Sequence, residues 1–162
     1  MKVKMKGIKM NLVGDLVAKG DSMSFNATKT NFLSFKLDKL KGWKVISVFP
    51  SINTRVCDEQ TKNIIELAKE FPKVNFVSIS LDLPPAQKEW CVANGFKNIS
   101  IVSDYKEREF GIKYGLLIDK LKLLARAIIV VNKENVVHEL IMDPELSNMP
   151  DFSHLKNILK EI

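Results

Sequence analysis

Lys44-Val45-Ile46-Ser47-Val48-Phe49-Pro50-Ser51-Ile52-Asn53-Thr54-Arg55-Val56-Cys57 is the stretch on which the fold turns. Its first six residues are mostly β-branched and apolar, as a buried strand requires, and Pro50, which has no N–H for a central ladder, ends it. After a short loop, Val56, Ile64, Leu67, Ala68 and Phe71 recur at near-helical spacing. Pro72 closes that pattern, so residues 55–71 are predicted to form a helix.

Working outward, Val74 to Leu81 reads as the next strand. Pro84 and Pro85 suit the first turn of a helix that runs to Asn94, with Gly95 just past its end. Ile99 to Val102 reads as a strand and Lys106 to Tyr114 as a helix. Leu123 to Val131 is a strongly apolar strand, reversed at residues 132–135 so that Val136 to Ile141 returns antiparallel. A last helix starts at Asp151, a good cap, and lines up Phe152, Leu155, Leu159 and Ile162. Upstream, Val3 to Met5 and Ile8 to Met10 flank Lys6-Gly7 as a hairpin, and Ser24 to Thr28 and Leu33 to Phe35 are short strands. The expected class is α/β: a mixed central sheet flanked by helices, in the element order of a thioredoxin-like fold. Residues 1–13 form an N-terminal β-hairpin extension of a single domain spanning 1–162.

The 162 residues are 46% hydrophobic and 27% charged, with 7 Gly and 6 Pro, which excludes a disordered or fibrous chain. A chain of this length buries roughly 70% of its unfolded surface, so stability needs no disulfide or structural metal. The longest apolar run, Ala127 to Val131, is far short of the roughly 20 residues of a membrane span. The start alternates lysine with apolar residues and has no signal-peptide core, so a cytoplasmic location is expected. The net charge of +6 comes mainly from dispersed lysines, with arginine only at 55, 108 and 126. No nucleic-acid recognition motif accompanies them, and no nucleic-acid partner is expected. Two cysteines are too few for a zinc site, and His138 and His154 lack finger spacing, so no metal and no role for either histidine is assigned.

A sulfur nucleophile must be ionised, and an ordinary cysteine with a pKa near about 8.5 mostly is not at neutral pH. With Thr54 as cap, Cys57 falls at the third helical position, where unpaired N–H groups and the positive end of the helix dipole favour a thiolate. Asp58 and Glu59 would oppose a second negative charge and are expected to point away from the sulfur. On spacing alone, Cys57 reads equally as a small buried apolar residue. Cys91 lies in the last turn of the second helix, where the dipole disfavours an anion, and reads either as a later-acting thiol or as core packing beside Trp90. Arg126 interrupts the apolar run Leu123 to Val131. A buried guanidinium cannot discharge itself and needs an anionic partner; the Cys57 thiolate would serve, while a solvent-facing arginine at an edge is the alternative.

Phe49 to Cys57 resembles the active-site loop of the peroxiredoxins: Pro, three residues, Thr or Ser, two residues, then the peroxide-attacking Cys. Pro50, Thr54 and Cys57 match it. Leu81-Asp82-Leu83-Pro84-Pro85-Ala86-Gln87 with Cys91 is similar to the resolving-cysteine segment of the bacterial thiol peroxidase branch, an atypical two-cysteine class, and Leu123 to Ala127 to its arginine-bearing strand. The similarity runs from about Lys6 to the C-terminus. Asn53, Arg55 and Met23 depart from the residues most common in that family. The resemblance implies a peroxidase for hydrogen peroxide and organic hydroperoxides, with no cofactor. It makes Cys57 the attacking sulfur and Cys91 its resolving partner in an intramolecular disulfide. Pro50, Thr54 and Arg126 are implied as substrate contacts, thioredoxin as the reductant and a homodimer as the assembly. Two other readings stand beside it. A disulfide oxidoreductase lacks its Cys-x-x-Cys here, since Gln60 follows Cys57 at that spacing; a thioredoxin-like binding module would leave both cysteines inert.

Overall fold

The computed structural model describes residues 2–95 and 99–162. Met1 and residues 96–98, which the expected single domain and (for Met1) the hairpin extension include, lie outside the described residues. In chain order the strands are β1 (Lys2–Met5), β2 (Ile8–Val13), β3 (Asn26–Lys29), β4 (Ser34–Lys36), β5 (Lys44–Val48) and β6 (Asn75–Ser80). They continue as β7 (Ser100–Ser103), β8 (Leu117–Ile118), β9 (Leu123–Leu124), β10 (Ala127–Val131) and β11 (Val137–Ile141). The helices are α1 (Arg55–Glu70), α2 (Pro84–Asn94), α3 (Glu109–Lys113) and α4 (Phe152–Lys160).

Seven strands form the central sheet in the order β11-β10-β5-β6-β7-β3-β4, and four form a smaller one in the order β1-β2-β8-β9. β5, β6 and β7 run parallel, while β10 lies antiparallel to β5. Every residue of β5 and of β10 is buried, because both faces of the central sheet are covered. Strand alternation divides their side chains between two cores. Val45, Ile128 and Val130 face Ile64 and Leu67 of α1 and Leu155 and Leu159 of α4. Ile46, Val48, Ala127, Ile129 and Val131 face the other way, toward Val3, Leu12, Leu117, Leu124 and the aromatic group of Phe25, Phe110 and Tyr114. Trp90 of α2 packs with Ile101 of β7 and the residues around Cys57.

The mixed sheet and the hairpin agree with the sequence expectation. Lys6 (φ 50°) and Gly7 (φ 79°) form the two-residue connection, with Met5 paired to Ile8, and both adopt the positive φ that tight hairpins use. Three elements differ. The apolar run Leu123 to Val131 is two strands, not one: β9 pairs with β8 in the small sheet and β10 with β5 and β11 in the large one. Ala125 and Arg126 bridge the two sheets, and both are buried. β8 has no counterpart in the sequence pattern, since two residues carry no periodicity. The helix expected from Lys106 begins only at Glu109, because Arg108 is left-handed (φ 55°, ψ 28°).

The start of α3 is held by Asp104, 3% exposed, which accepts the N–H groups of Phe110 (3.0 Å) and Gly111 (2.8 Å). Burial outweighs those bonds and pushes its carboxyl up to about 6. Because the folded value lies above the unfolded one of about 3.9, stability from this group is full below about pH 4 and is lost as pH rises through about 6. Asp104→Asn cannot ionise and should gain on the wild type by on the order of 2 kcal/mol between pH 4 and pH 7 in urea unfolding. A stability difference independent of pH would contradict this.

Candidate active site

β5 ends at Val48; Phe49 and Pro50, both buried, follow it, and the chain loops through residues 51–54 into α1. Asp82, just after β6, ties this loop down: its carboxylate accepts Ser51 Oγ at 3.1 Å and the Ile52 N–H at 2.8 Å. Thr54 occupies the N-cap position in an extended conformation (φ −90°, ψ 149°). Its hydroxyl donates to the Ser51 carbonyl at 3.0 Å instead of capping the helix.

Cys57 lies in the first turn of α1 with 0% exposure, packed among Phe49, Ile52, Ile65, Trp90 and Ile101. Its carbonyl accepts the Thr61 hydroxyl at 2.9 Å. Neither neighbouring carboxylate is spent on the sulfur. Asp58 pairs with Lys62 at 2.9 Å, the main contact that holds its carboxyl below the usual range, and accepts Trp90 Nε1 at 2.8 Å, which adds to it. Glu59 meets Arg55 at 3.6 Å on the exposed side of the helix.

Arg126 is 5% exposed, so it belongs to the interior and not to a wet strand face. Its three donor nitrogens spread to three acceptors. Nε donates to the Leu146 carbonyl at 2.7 Å, Nη1 to Gln60 Oε1 at 2.8 Å and Nη2 to Cys57 Sγ at 3.4 Å. Gln60 is itself fully buried, and its amide nitrogen donates to Ser47 Oγ at 2.8 Å and to the Val48 carbonyl at 3.1 Å. The amide is thus oriented by β5, with its oxygen turned toward the guanidinium. The guanidinium thus sets a fixed positive charge against Cys57 Sγ.

Cys91 lies in the last turn of α2, where its carbonyl accepts the Gly95 N–H at 3.0 Å. It is half-buried, packs against the apolar group around Cys57, and burial pushes its thiol up. Both sulfurs are free. The Trp90–Asp58 bond joins the residue before Cys91 to the residue after Cys57, tying α2 to α1. The structure therefore brings Pro50, Thr54, Cys57 and Arg126 to one end of β5, with Cys91 on the adjacent helix. Gln60, Asp82 and Leu146 are not singled out by the sequence. Gln60 lies one helical turn beyond Cys57, which marks it as sharing that face, but Leu146 acts through its backbone and leaves no sequence signal. Among the described residues, no cluster of three or more His, Cys, Asp or Glu side chains could hold a metal ion.

A thioredoxin-like sheet carrying a buried cysteine at a helix start, in contact with a guanidinium, defines a thiol-redox class of protein. Comparison with known proteins narrows it. The AhpC/TSA family model matches residues 20–140. The thiol peroxidase of Oceanobacillus iheyensis is 42% identical over 159 residues, covering 94% of this chain and 97% of the relative. That of Bacillus subtilis is 40% identical over 149 residues, covering 91% and 89%. A peroxiredoxin-like protein from Aquifex aeolicus superposes with a TM-score of 0.92 at 30% identity, over 99% of this chain and 96% of that one. The chain belongs to the AhpC/TSA family, the peroxiredoxins.

The Gln60 contacts are open to a stability test. Gln60→Leu, similar in volume, would leave Arg126 Nη1 and the Val48 carbonyl buried without this partner. Unfolding in urea should show a loss of about 1–3 kcal/mol, and an unchanged stability would mean that other groups take over both bonds.

Proposed function

We propose that this chain is a thiol-dependent peroxidase in which Cys57 attacks hydrogen peroxide or an organic hydroperoxide and Cys91 resolves the product. The observation that supports this reading is the Arg126 guanidinium donating to Cys57 Sγ at 3.4 Å inside an apolar pocket. In such surroundings the guanidinium interacts far more strongly than in water, both with the sulfur anion and with charge developing on oxygen.

The Cys57 thiolate attacks the terminal peroxide oxygen: an S–O bond forms, the O–O bond breaks, and the leaving oxygen takes a proton to depart as water or alcohol. Cys57 is left as a sulfenic acid. Arg126 and the backbone N–H groups of the first turn hold the two oxygens as the bond lengthens. Thr54, whose hydroxyl proton is engaged by Ser51, presents its oxygen to the hydroperoxide O–H. Pro50 shields the sulfur from bulk water. Since Cys57 has no exposed surface, the exposed loop at Asn53 and Thr54 must give way to admit substrate.

In the second stage the Cys91 thiol gives up its proton and its sulfur attacks the Cys57 sulfenic sulfur: an S–S bond forms, the S–O bond breaks, and the leaving hydroxide takes up a proton to depart as water. For this step the Trp90–Asp58 bond and the adjoining helix turns must open. An external dithiol, proposed here as thioredoxin, then reduces the disulfide by exchange. The working assembly proposed is a homodimer in the cytoplasm. Among the described residues no helix is long and apolar enough to cross a membrane.

Cys57→Ser should abolish peroxide consumption, whereas Cys91→Ser should consume one equivalent and stop, with a sulfenic acid at Cys57 visible by intact-mass measurement. Full turnover by Cys57→Ser would remove the assignment. Arg126→Met should lower kcat/KM for hydrogen peroxide by roughly 10²- to 10³-fold, the loss typical of removing one charge-stabilising donor. A change below about threefold would show that the guanidinium takes no part in the reaction.

A further inference from the structure

Arg126 can serve Cys57 only if its guanidinium is held at one rotation. Two of its three contacts come from α1, and the third comes from elsewhere: the Leu146 carbonyl, which accepts Nε at 2.7 Å. Leu146 lies in the loop between β11 and α4, a segment without a helix or strand of its own to fix it. What fixes it is the N-terminal hairpin, some 140 residues away in sequence.

The contacts are specific. The Lys4 N–H donates to the Pro144 carbonyl at 2.7 Å, and the Leu146 N–H donates back to the Lys4 carbonyl at 2.7 Å, so β1 pairs with the loop on either side of Glu145. Glu145 completes the attachment. Its carboxylate accepts the Lys6 N–H at 2.9 Å and the Gly7 N–H at 3.1 Å, across the turn of the hairpin. It also accepts the N–H of Ser147 at 3.2 Å and the Ser147 hydroxyl. Successive N–H groups in a turn of positive φ converge on an anion, and here the anion is a side chain of the chain itself. The peptide unit that carries the Leu146 carbonyl is therefore bracketed by Glu145 on one side and Ser147 on the other, with the Leu146 side chain 1% exposed beneath it.

We propose that Glu145 is a positioning residue for the peroxidase reaction: by clamping the hairpin turn to the 144–147 loop, it sets the Leu146 carbonyl and through it the rotation of the Arg126 guanidinium at Cys57. The proposal rests on the reading of Cys57 and Arg126 given above. Glu145 touches neither sulfur nor substrate; its effect passes through one backbone carbonyl. The hairpin is thus a structural part of the active site. Without the clamp, Leu146 can retreat, Nε loses its acceptor, and Nη2 no longer has a single direction. Misplacement of a charge-stabilising group by about 1 Å costs up to roughly 10²-fold in rate.

The test is stopped-flow oxidation of Cys57 by hydrogen peroxide, followed in Glu145→Ala and Glu145→Gln, each made in the wild-type and Arg126→Met backgrounds. Glu145→Ala should slow the reaction by about tenfold, a partial misplacement. Glu145→Gln keeps one acceptor for Lys6 and Ser147 and should recover most of the rate, losing about threefold at the Gly7 N–H. With Arg126 already replaced, both changes should alter the rate by less than about twofold, since their only route to the sulfur has gone. A purely stabilising role for Glu145 would instead lower urea stability and leave the rate of the folded protein unchanged. That outcome, or an equal slowing in both backgrounds, overturns the proposal. If Glu145→Ala does not fold, the threefold effect of Glu145→Gln and its disappearance with Arg126→Met decide the matter. Wild-type activity in Cys57→Ser would remove the underlying site assignment, whereas a slow Arg126→Met with indifferent Glu145 variants removes only the clamp.

Discussion

A guanidinium inside a protein keeps its charge and five N–H donors, so every one of its directions must be answered. In this chain that demand falls on Arg126, and the surrounding structure is arranged to meet it. The Leu146 carbonyl, the Gln60 amide oxygen and the Cys57 sulfur converge on it from α1 and the loop between β11 and α4. Gln60 is braced in turn by Ser47 and Val48 of the central strand. The apolar run breaks at the same place: Ala125 and Arg126 cross between the two sheets, and the Arg126 side chain reaches the start of α1.

The mobility that the proposed two-cysteine cycle needs is set against this rigidity. Cys57 and Cys91 share one apolar cluster, yet sit on separate helices and remain free. α1 and α2 are tied by Trp90 and Asp58, adjacent in sequence to the two cysteines. A hydrogen bond to a charged carboxylate is worth about 1.5–3 kcal/mol, enough to favour the closed arrangement and small enough to be exchanged for a disulfide. Asp82 anchors the preceding loop and Asp104 the start of α3, so acidic side chains hold both irregular segments by their backbone N–H groups. In this chain a buried sheet thus carries irregular ends secured by one or two hydrogen bonds to a carboxylate.

Much of this was legible in the residues. β5, α1, β6, α2 and the final helix carry long periodic patterns with clear terminators, and Pro50, Thr54 and Cys57 form a spaced motif. The departures have a common physical origin. β8 and β9 are two residues each and are defined by their partners, β8 by β2 and β9 by β8, so no local pattern encodes them. Arg108 adopts a left-handed backbone that shortens α3, a conformation with no preference in its residue type. Asp58 and Glu59 could have opposed an anion at Cys57; only their partners, Trp90, Lys62 and Arg55, show where their charges are spent.

By itself the sequence determined the α/β class, the placement of a cysteine in the first turn of a helix, and the presence of a lone arginine within an apolar run, because each of these is a local pattern of hydrophobicity, proline and spacing. The tertiary structure decided that Arg126 meets Cys57, that Gln60 orients it, and that a hairpin at the start of the chain braces the loop whose carbonyl receives it. Those contacts join residues up to about 140 positions apart. Their energy comes from satisfying buried polar groups across elements, and that requirement has no period along the chain to read.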